Sequence, residues 1–410
     1  TDAAMVSAIY GADALAAVAV GSDFYSIVFY LGAGILGGLV PFYTAATVRS
    51  DVAETAGLVR IGWLLVALVA AVAVPLVWYS PDWLAVLGLD AGLLQQGRGY
   101  TRAMALTLVP MLGVMLYRTI LTAAEKPKVF LKVTVAMLPL NALGNYVFMT
   151  GAGPVPDFGP AGTGISTLLV ASVSLATLVV IARRASGMTI AAPVDWRGLG
   201  SVLRVGLPIG IATVAEVGVF LAATVYAATL SAADVAAHTL TLRTAGVAYA
   251  IPAALLQASM VRMARADSQG EPRTAHAVVT SSLAISLAFG ALIVLLLACG
   301  ARPLAWAFFD GSPAGIAAAS LAVGPLVLLG VLELIFVPGS AATGLLRGRK
   351  DTRAPMAYAL VGHWAVGVPV GIYLCERHDY GAAGIWIGLA AGTLLATSLT
   401  LARLFVSRPR

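Results

Sequence analysis

The chain has 410 residues, 60% hydrophobic and only 11% charged, with a mean hydropathy of +0.93 and a formal net charge of +6. A soluble domain carries about 25% charged residues. The composition therefore excludes a soluble enzyme, a nucleic-acid-binding protein and a disordered chain, and it predicts a polytopic membrane protein. A spanning helix needs about 20 mostly apolar residues. In chain order the sequence predicts a stub at 1–8, then spans near 14–47, 54–79, 92–123, 128–150, 160–184, 199–229, 233–262, 274–299, 314–346, 354–375 and 381–405. These runs are too long and too unalternating for the strands of a membrane barrel. The start, Thr1-Asp2-Ala3-Ala4-Met5, is not a signal peptide. The expectation is a first helix cut short, with eleven full spans here and twelve in the intact protein.

The basic residues test this count, because cytoplasmic loops collect Lys and Arg. Alternate connections hold Arg49 and Arg60; Arg118, Lys126, Lys128 and Lys132; Arg183, Arg184, Arg197 and Arg204; Arg262, Arg265 and Arg273; Arg347, Arg349, Lys350 and Arg353; and Arg403, Arg408 and Arg410. The intervening loops hold only Arg98, Arg102, Arg302 and Arg377, and Arg243 falls inside a span. An asymmetry of 20 against 4 predicts an inner cell-membrane protein with both termini in the cytoplasm.

The two halves repeat. A shift of 220 places Ala16-Ala17 on Ala236-Ala237 and Gly11-Ala12 on Ser231-Ala232. Nearby shifts place Leu112-Gly113-Val114 on Leu329-Gly330-Val331, and Gly159-Pro160-Ala161-Gly162 on Gly381-Ala382-Ala383-Gly384. Six spans per repeat make the two copies parallel, related by an axis along the membrane normal. The expected organisation is an N-terminal six-helix bundle over 1–184, a cytoplasmic linker over 185–198 and a C-terminal six-helix bundle over 199–410.

Several stretches, in order, resemble one family. They are Asp2-Ala3-Ala4-Met5 in the first helix, Ala16-Ala17-Val18 and Leu39-Val40-Pro41 in the second, and Gly206-Leu207-Pro208-Ile209-Gly210 followed by Glu216 in the seventh. Val235-Ala236-Ala237-His238 with Pro252 falls in the eighth, Gly344 to Arg353 (Gly-Leu-Leu-Arg-Gly-Arg-Lys-Asp-Thr-Arg) follows the tenth, and Gly381-Ala382-Ala383-Gly384-Ile385-Trp386 opens the twelfth. End to end the chain resembles the MATE (multidrug and toxic compound extrusion) antiporters, in their NorM-like branch. The resemblance implies export of organic, often cationic and amphipathic compounds in exchange for Na⁺ or H⁺.

A charge at bilayer depth costs at least about 2.5–3.5 kcal/mol, so intramembrane acids are candidates for function. Four qualify: Asp2, Asp23, Glu216 and Glu333. The resemblance implies coupling roles for Asp2 on the first helix and Glu216 on the seventh. It departs at the tenth, where Phe336 stands at the family's aspartate position. Glu333, three residues earlier on roughly the same helix face, is the expected stand-in. Asp23 and Arg243 are 220 apart, hence equivalent in the two repeats, and are expected to form an inter-bundle gating pair. His363, in the eleventh span, is a candidate proton site. A helix-to-helix hydrogen bond is expected for His238, and polar helix contacts for Asn141 and Asn145.

No phosphate-binding loop, zinc-protease motif or nucleophile elbow occurs, and Cys299 and Cys375 suggest neither a disulfide framework nor a metal cluster. The expectation is a monomeric secondary transporter and not an enzyme, embedded in the lipid bilayer. It would take small organic cations or drugs and no nucleic acid, and bind no cofactor beyond the coupling Na⁺ or H⁺. The alternative is a flippase for lipid-linked or polysaccharide precursors, which would need several cations in its cavity. Only Arg243 is expected within a span.

Overall fold

The computed structural model describes residues 2–152, 154–186 and 195–406. Among them it is helical throughout, with no strand. In chain order the helices are α1 (Asp2–Gly37), α2 (Val40–Val48), α3 (Val52–Trp78), α4 (Ser80–Val86), α5 (Ala91–Ala123), α6 (Pro127–Thr150), α7 (Ala161–Ser186) and α8 (Trp196–Ala227). There follow α9 (Ala232–Ala248), α10 (Ala250–Gln269), α11 (Pro272–Phe308), α12 (Pro313–Gly348), α13 (Arg353–Leu360), a π-helix (Val361–Gly367), α14 (Val368–His378) and α15 (Gly381–Val406).

Eleven stretches among the described residues are long and apolar enough to cross a membrane, from Asp13–Val48 to Gly381–Val406, and each overlaps one expected span. The chain is an all-α polytopic membrane protein. The expected stub is the first part of α1, separated from the rest by Gly11, whose φ of 83° lies in the region open mainly to glycine. Helix starts follow from side-chain caps. Asp51 accepts from the Glu54 N–H, Asp90 from Leu93, Ser231 from Asp234 and Ser312 from Gly315. Four connections turn on a non-glycine residue at positive φ: Ser50, Glu125, Lys350 and Asp379. In each, the next N–H reaches back to a helix carbonyl (Asp51 to Ala46, Lys126 to Leu121, Asp351 to Leu346, Tyr380 to Leu374).

The chain divides into two compact units, Thr1–Gly210 and Ile211–Arg410. The division falls within α8, not at the expected linker, most of which (187–194) lies outside the described residues, as do Arg408 and Arg410. The physical reason is glycine packing. A Cβ at Gly34 would lie 2.5 Å from the Gly210 Cα, and one at Gly38 2.5 Å from the Gly206 Cα. Small residues let backbones approach this closely, so the first half of α8 belongs to the first unit.

Within the first unit α5 is the hub, packed by α1, α3 and α7, and α6 lies on α7. Within the second unit α12 is the hub, packed by α9, α10, α11 and α15, and α14 lies on α15. The hubs are the helices that carry Leu112-Gly113-Val114 and Leu329-Gly330-Val331, so the two packing patterns match the sequence repeat.

Candidate functional site

The second unit contains a pocket with about 550 Å³ of empty space, solvent at its mouth included. Its charged and titratable walls are Glu216 from α8, Tyr249 between α9 and α10, Arg347 from α12 and His363 from the π-helix. Hydroxyls from Ser340, Thr343, Thr393, Thr397 and Thr400 complete the polar lining. The Glu216 carboxylate and the Arg347 guanidinium feel each other's charge.

The sequence spacing explains why His363 faces this pocket. Gly384, Gly388 and Gly392 recur every four residues on α15 and make one continuous groove. Their partners, Gly362, Gly367 and Gly371, are spaced five and then four apart. A Cβ at Gly388 would lie 2.5 Å from the Gly367 carbonyl oxygen, and one at Gly362 2.5 Å from the Gly392 oxygen. A regular α-helix cannot keep both Gly362 and Gly367 on one face. A π turn absorbs the extra residue, and such turns cluster at functional sites. It buries His363 in the pocket wall, with Nδ1 lacking a hydrogen-bond partner. It also brings the next residue, Trp364, onto α8, where its indole N–H donates to the Ala215 carbonyl.

Glu333 does not line the pocket. It is buried, with Oε2 unpartnered, and its backbone lies against Gly290 of α11. The position it was expected to serve is a pocket wall formed by Phe336, which stacks on Tyr249 at 6.2 Å. Three helical residues turn the side chain by about 300°, so a shared face at one turn's distance need not mean a shared cavity. Arg347 corrects the sequence reading in the other direction. It was counted as a loop charge, but α12 continues to Gly348 and buries it to 6% exposure. Arg243 is therefore not alone among intramembrane cations.

The first unit holds a second polar site. Asp2 accepts hydrogen bonds from Asn145 Nδ2 at 2.8 Å and from Thr167 Oγ1 at 3.0 Å. Asn145 is fully buried, and its Oδ1 has no partner. The segment bearing Asp2 is anchored by the Tyr10 hydroxyl, which donates to the Met149 carbonyl beside Asp157. Sequence reasoning gave Asn145 a generic packing role. Only the fold reveals that its partner is the candidate acid. Asp23 and Arg243 lie in different units, each exposed. His238 bonds Thr224 at 3.2 Å, joining α9 to α8, as expected.

A sequence model of the MatE family matches residues 1–147 and 208–373, well over half of the chain. The protein belongs to the MATE family. Among its relatives, the "Probable multidrug resistance protein NorM" of Mesorhizobium japonicum is 30% identical, over 98% of this chain and 88% of that one. The "Multidrug resistance protein NorM" of Burkholderia vietnamiensis is 30% identical over 96% and 86%. The crystal structure of the eukaryotic MATE transporter AtDTX14 shares the fold with a TM-score of 0.87 at 18% identity, covering 99% of this chain and 90% of that one. The Vibrio cholerae MATE transporter VcmN, in its bent form, does so at 0.80 and 18%, over 98% and 90%. The MATE model covers Asp2, Asn145, Glu216, Arg347 and His363, and leaves α15 outside the match.

Proposed function

We propose that the protein is a secondary active multidrug efflux antiporter, exporting organic, often cationic and amphipathic compounds in exchange for Na⁺ or H⁺. The observation that carries this reading is Glu216. It is the one carboxylate lining the described pocket, an acid at membrane depth whose charge Arg347 offsets, and an intramembrane acid of this kind marks a functional site. An entering coupling ion removes its charge and weakens its attraction for a cationic drug, and a drug leaving on the other side frees it again. Asp2, held by Asn145 and Thr167, offers the equivalent site in the first unit. The NorM relatives, named as multidrug resistance proteins, support the drug class. Asp23 and Arg243 are assigned to gating. If they act together, Asp23→Asn with Arg243→Gln will have a smaller transport defect than Asp23→Asn alone.

The loop charges favour both termini in the cytoplasm, and the reading is of an inner-membrane monomer that takes no nucleic acid. The flippase reading needs several cations in the cavity. Among the described residues, Arg347 is the one cation lining the pocket. The deciding experiment follows a fluorescent cationic dye in inside-out vesicles under an imposed Na⁺ gradient or pH gradient. Gradient-driven dye movement lost in Glu216→Gln is the expected result. No movement of any of several dyes would overturn the antiport reading.

A further inference from the structure

We propose that Arg347 is a tethered counter-cation that makes the Glu216 pocket selective for a proton over a metal cation. The inference rests on the antiport reading and concerns which ion that pocket takes. Hard metal cations are held by several oxygens carrying net negative charge. Here one carboxylate is balanced by one guanidinium in the same pocket. A metal cation beside Glu216 would share the pocket with a fixed like charge in a low-dielectric wall, where such repulsion is strong.

The remaining walls do not offset this. Phe336 brings no oxygen where a second acid would stand, and it stacks on Tyr249. Tyr249 is the other titratable group of the lining, while α13 and α15 contribute no charged or titratable side chain. A proton meets the same fixed charge, but it bonds covalently to one Glu216 oxygen and needs no further ligands, so the penalty leaves a proton bound where a metal cation with one acid ligand is not held. Threonine oxygens line the same pocket as Arg347. Thr393 and Thr400 donate their own hydroxyl protons to the Leu389 and Ala396 carbonyls, so their lone pairs remain for a donor in the pocket. His363 adds no charge to this balance: its ring is buried in the pocket wall with Nδ1 unpartnered, and burial beside a guanidinium favours the neutral imidazole.

The test is radioactive Na⁺ binding to the purified protein carrying Asp2→Asn, which removes the acid of the first unit. The parent is expected to show no Na⁺ binding that depends on Glu216. Arg347→Gln is expected to gain Na⁺ affinity by about tenfold or more, lose the gain when Glu216→Gln is added, and show no gain as Arg347→Lys, which keeps the charge. Glu216-dependent Na⁺ binding in the parent, or no gain in a monodisperse Arg347→Gln protein, overturns the proposal. Should Arg347→Gln fail to fold, Arg347→Met takes its place with the same gain expected, and a monodisperse Arg347→Met protein without that gain equally overturns the proposal. Dyes that move under no gradient would sink the antiport reading but leave the Na⁺ result to decide the role of Arg347.

Discussion

Trp364 donates its indole N–H to the main-chain oxygen of Ala215 at 3.0 Å, so the π-helix is pinned to α8 at the residue before Glu216. Gly218 makes room for the ring, since a Cβ there would lie 3.2 Å from it. Trp364→Phe keeps an aromatic side chain, removes the indole donor and gives up the outer ring atoms that pack beside Gly218. A net loss of about 0.5–1.5 kcal/mol is expected, read as a lower melting temperature. Ion-coupled dye transport should fall further than that loss alone explains, because Glu216 and His363 would no longer be held in register.

The glycine groove of α15 is a close backbone-to-backbone contact beside the pocket. Gly388→Ala puts a methyl group against the Gly367 and Gly371 backbones, where neither side can yield. Overpacking of this kind costs about 1–3 kcal/mol. Gly57→Ala on α3 meets nothing within 4 Å, and should be neutral or stabilising by up to about 1 kcal/mol. Thermal unfolding of the two variants side by side separates packing from propensity.

Deleting Ala365 shortens the Gly362-to-Gly367 interval to the α-helical spacing. The helix can then remain regular against α15, so the variant should fold with a melting temperature near that of the parent. Transport should be lost, because the turn that presents His363 and Trp364 disappears. A deletion variant that still transports would show that the π turn is incidental.

Glu333 is a buried carboxyl with an unpartnered oxygen outside the pocket lining. An unsatisfied buried polar group costs about 1–3 kcal/mol. Glu333→Leu is therefore expected to raise the melting temperature, with ion-coupled transport retained. Loss of coupling in a stable Glu333→Leu protein would restore Glu333 as the stand-in for the acid absent at Phe336.

Asp2 has two neutral donors, and they should be separable. Thr167→Val removes one hydrogen bond to the carboxylate, worth about 1.5–3 kcal/mol for a charged acceptor. Asn145→Ala removes the other and also the free Oδ1. If the unpartnered oxygen matters for ion binding, Asn145→Ala will impair transport more than Thr167→Val at matched expression.

Composition and periodicity were enough to place the spans, because twenty apolar residues in succession have one physical solution in lipid. Glu216 was legible because an acid in such a run stands out. Its partners were not. Arg347 sits one residue from the end of α12, and hydropathy cannot say whether a cation at a helix end points into water or back into the protein. His363 depends on a π turn whose only trace is a five-residue glycine spacing, readable once α15 is known to be its partner. Asn145 and Asp2 are 143 residues apart, a pairing that only tertiary structure supplies.

α6 buries only Val133, Asn145 and Met149, while Leu131, Val135, Leu138, Leu143 and Tyr146 are exposed. The helix that holds Asp2 in place thus has acyl chains as its main neighbour. Its tilt is set partly by bilayer thickness, at a cost of fractions of a kcal/mol per ångström of mismatch. The lipid composition of the host membrane becomes an adjustable parameter of the acid site, acting through Asn145 without touching it.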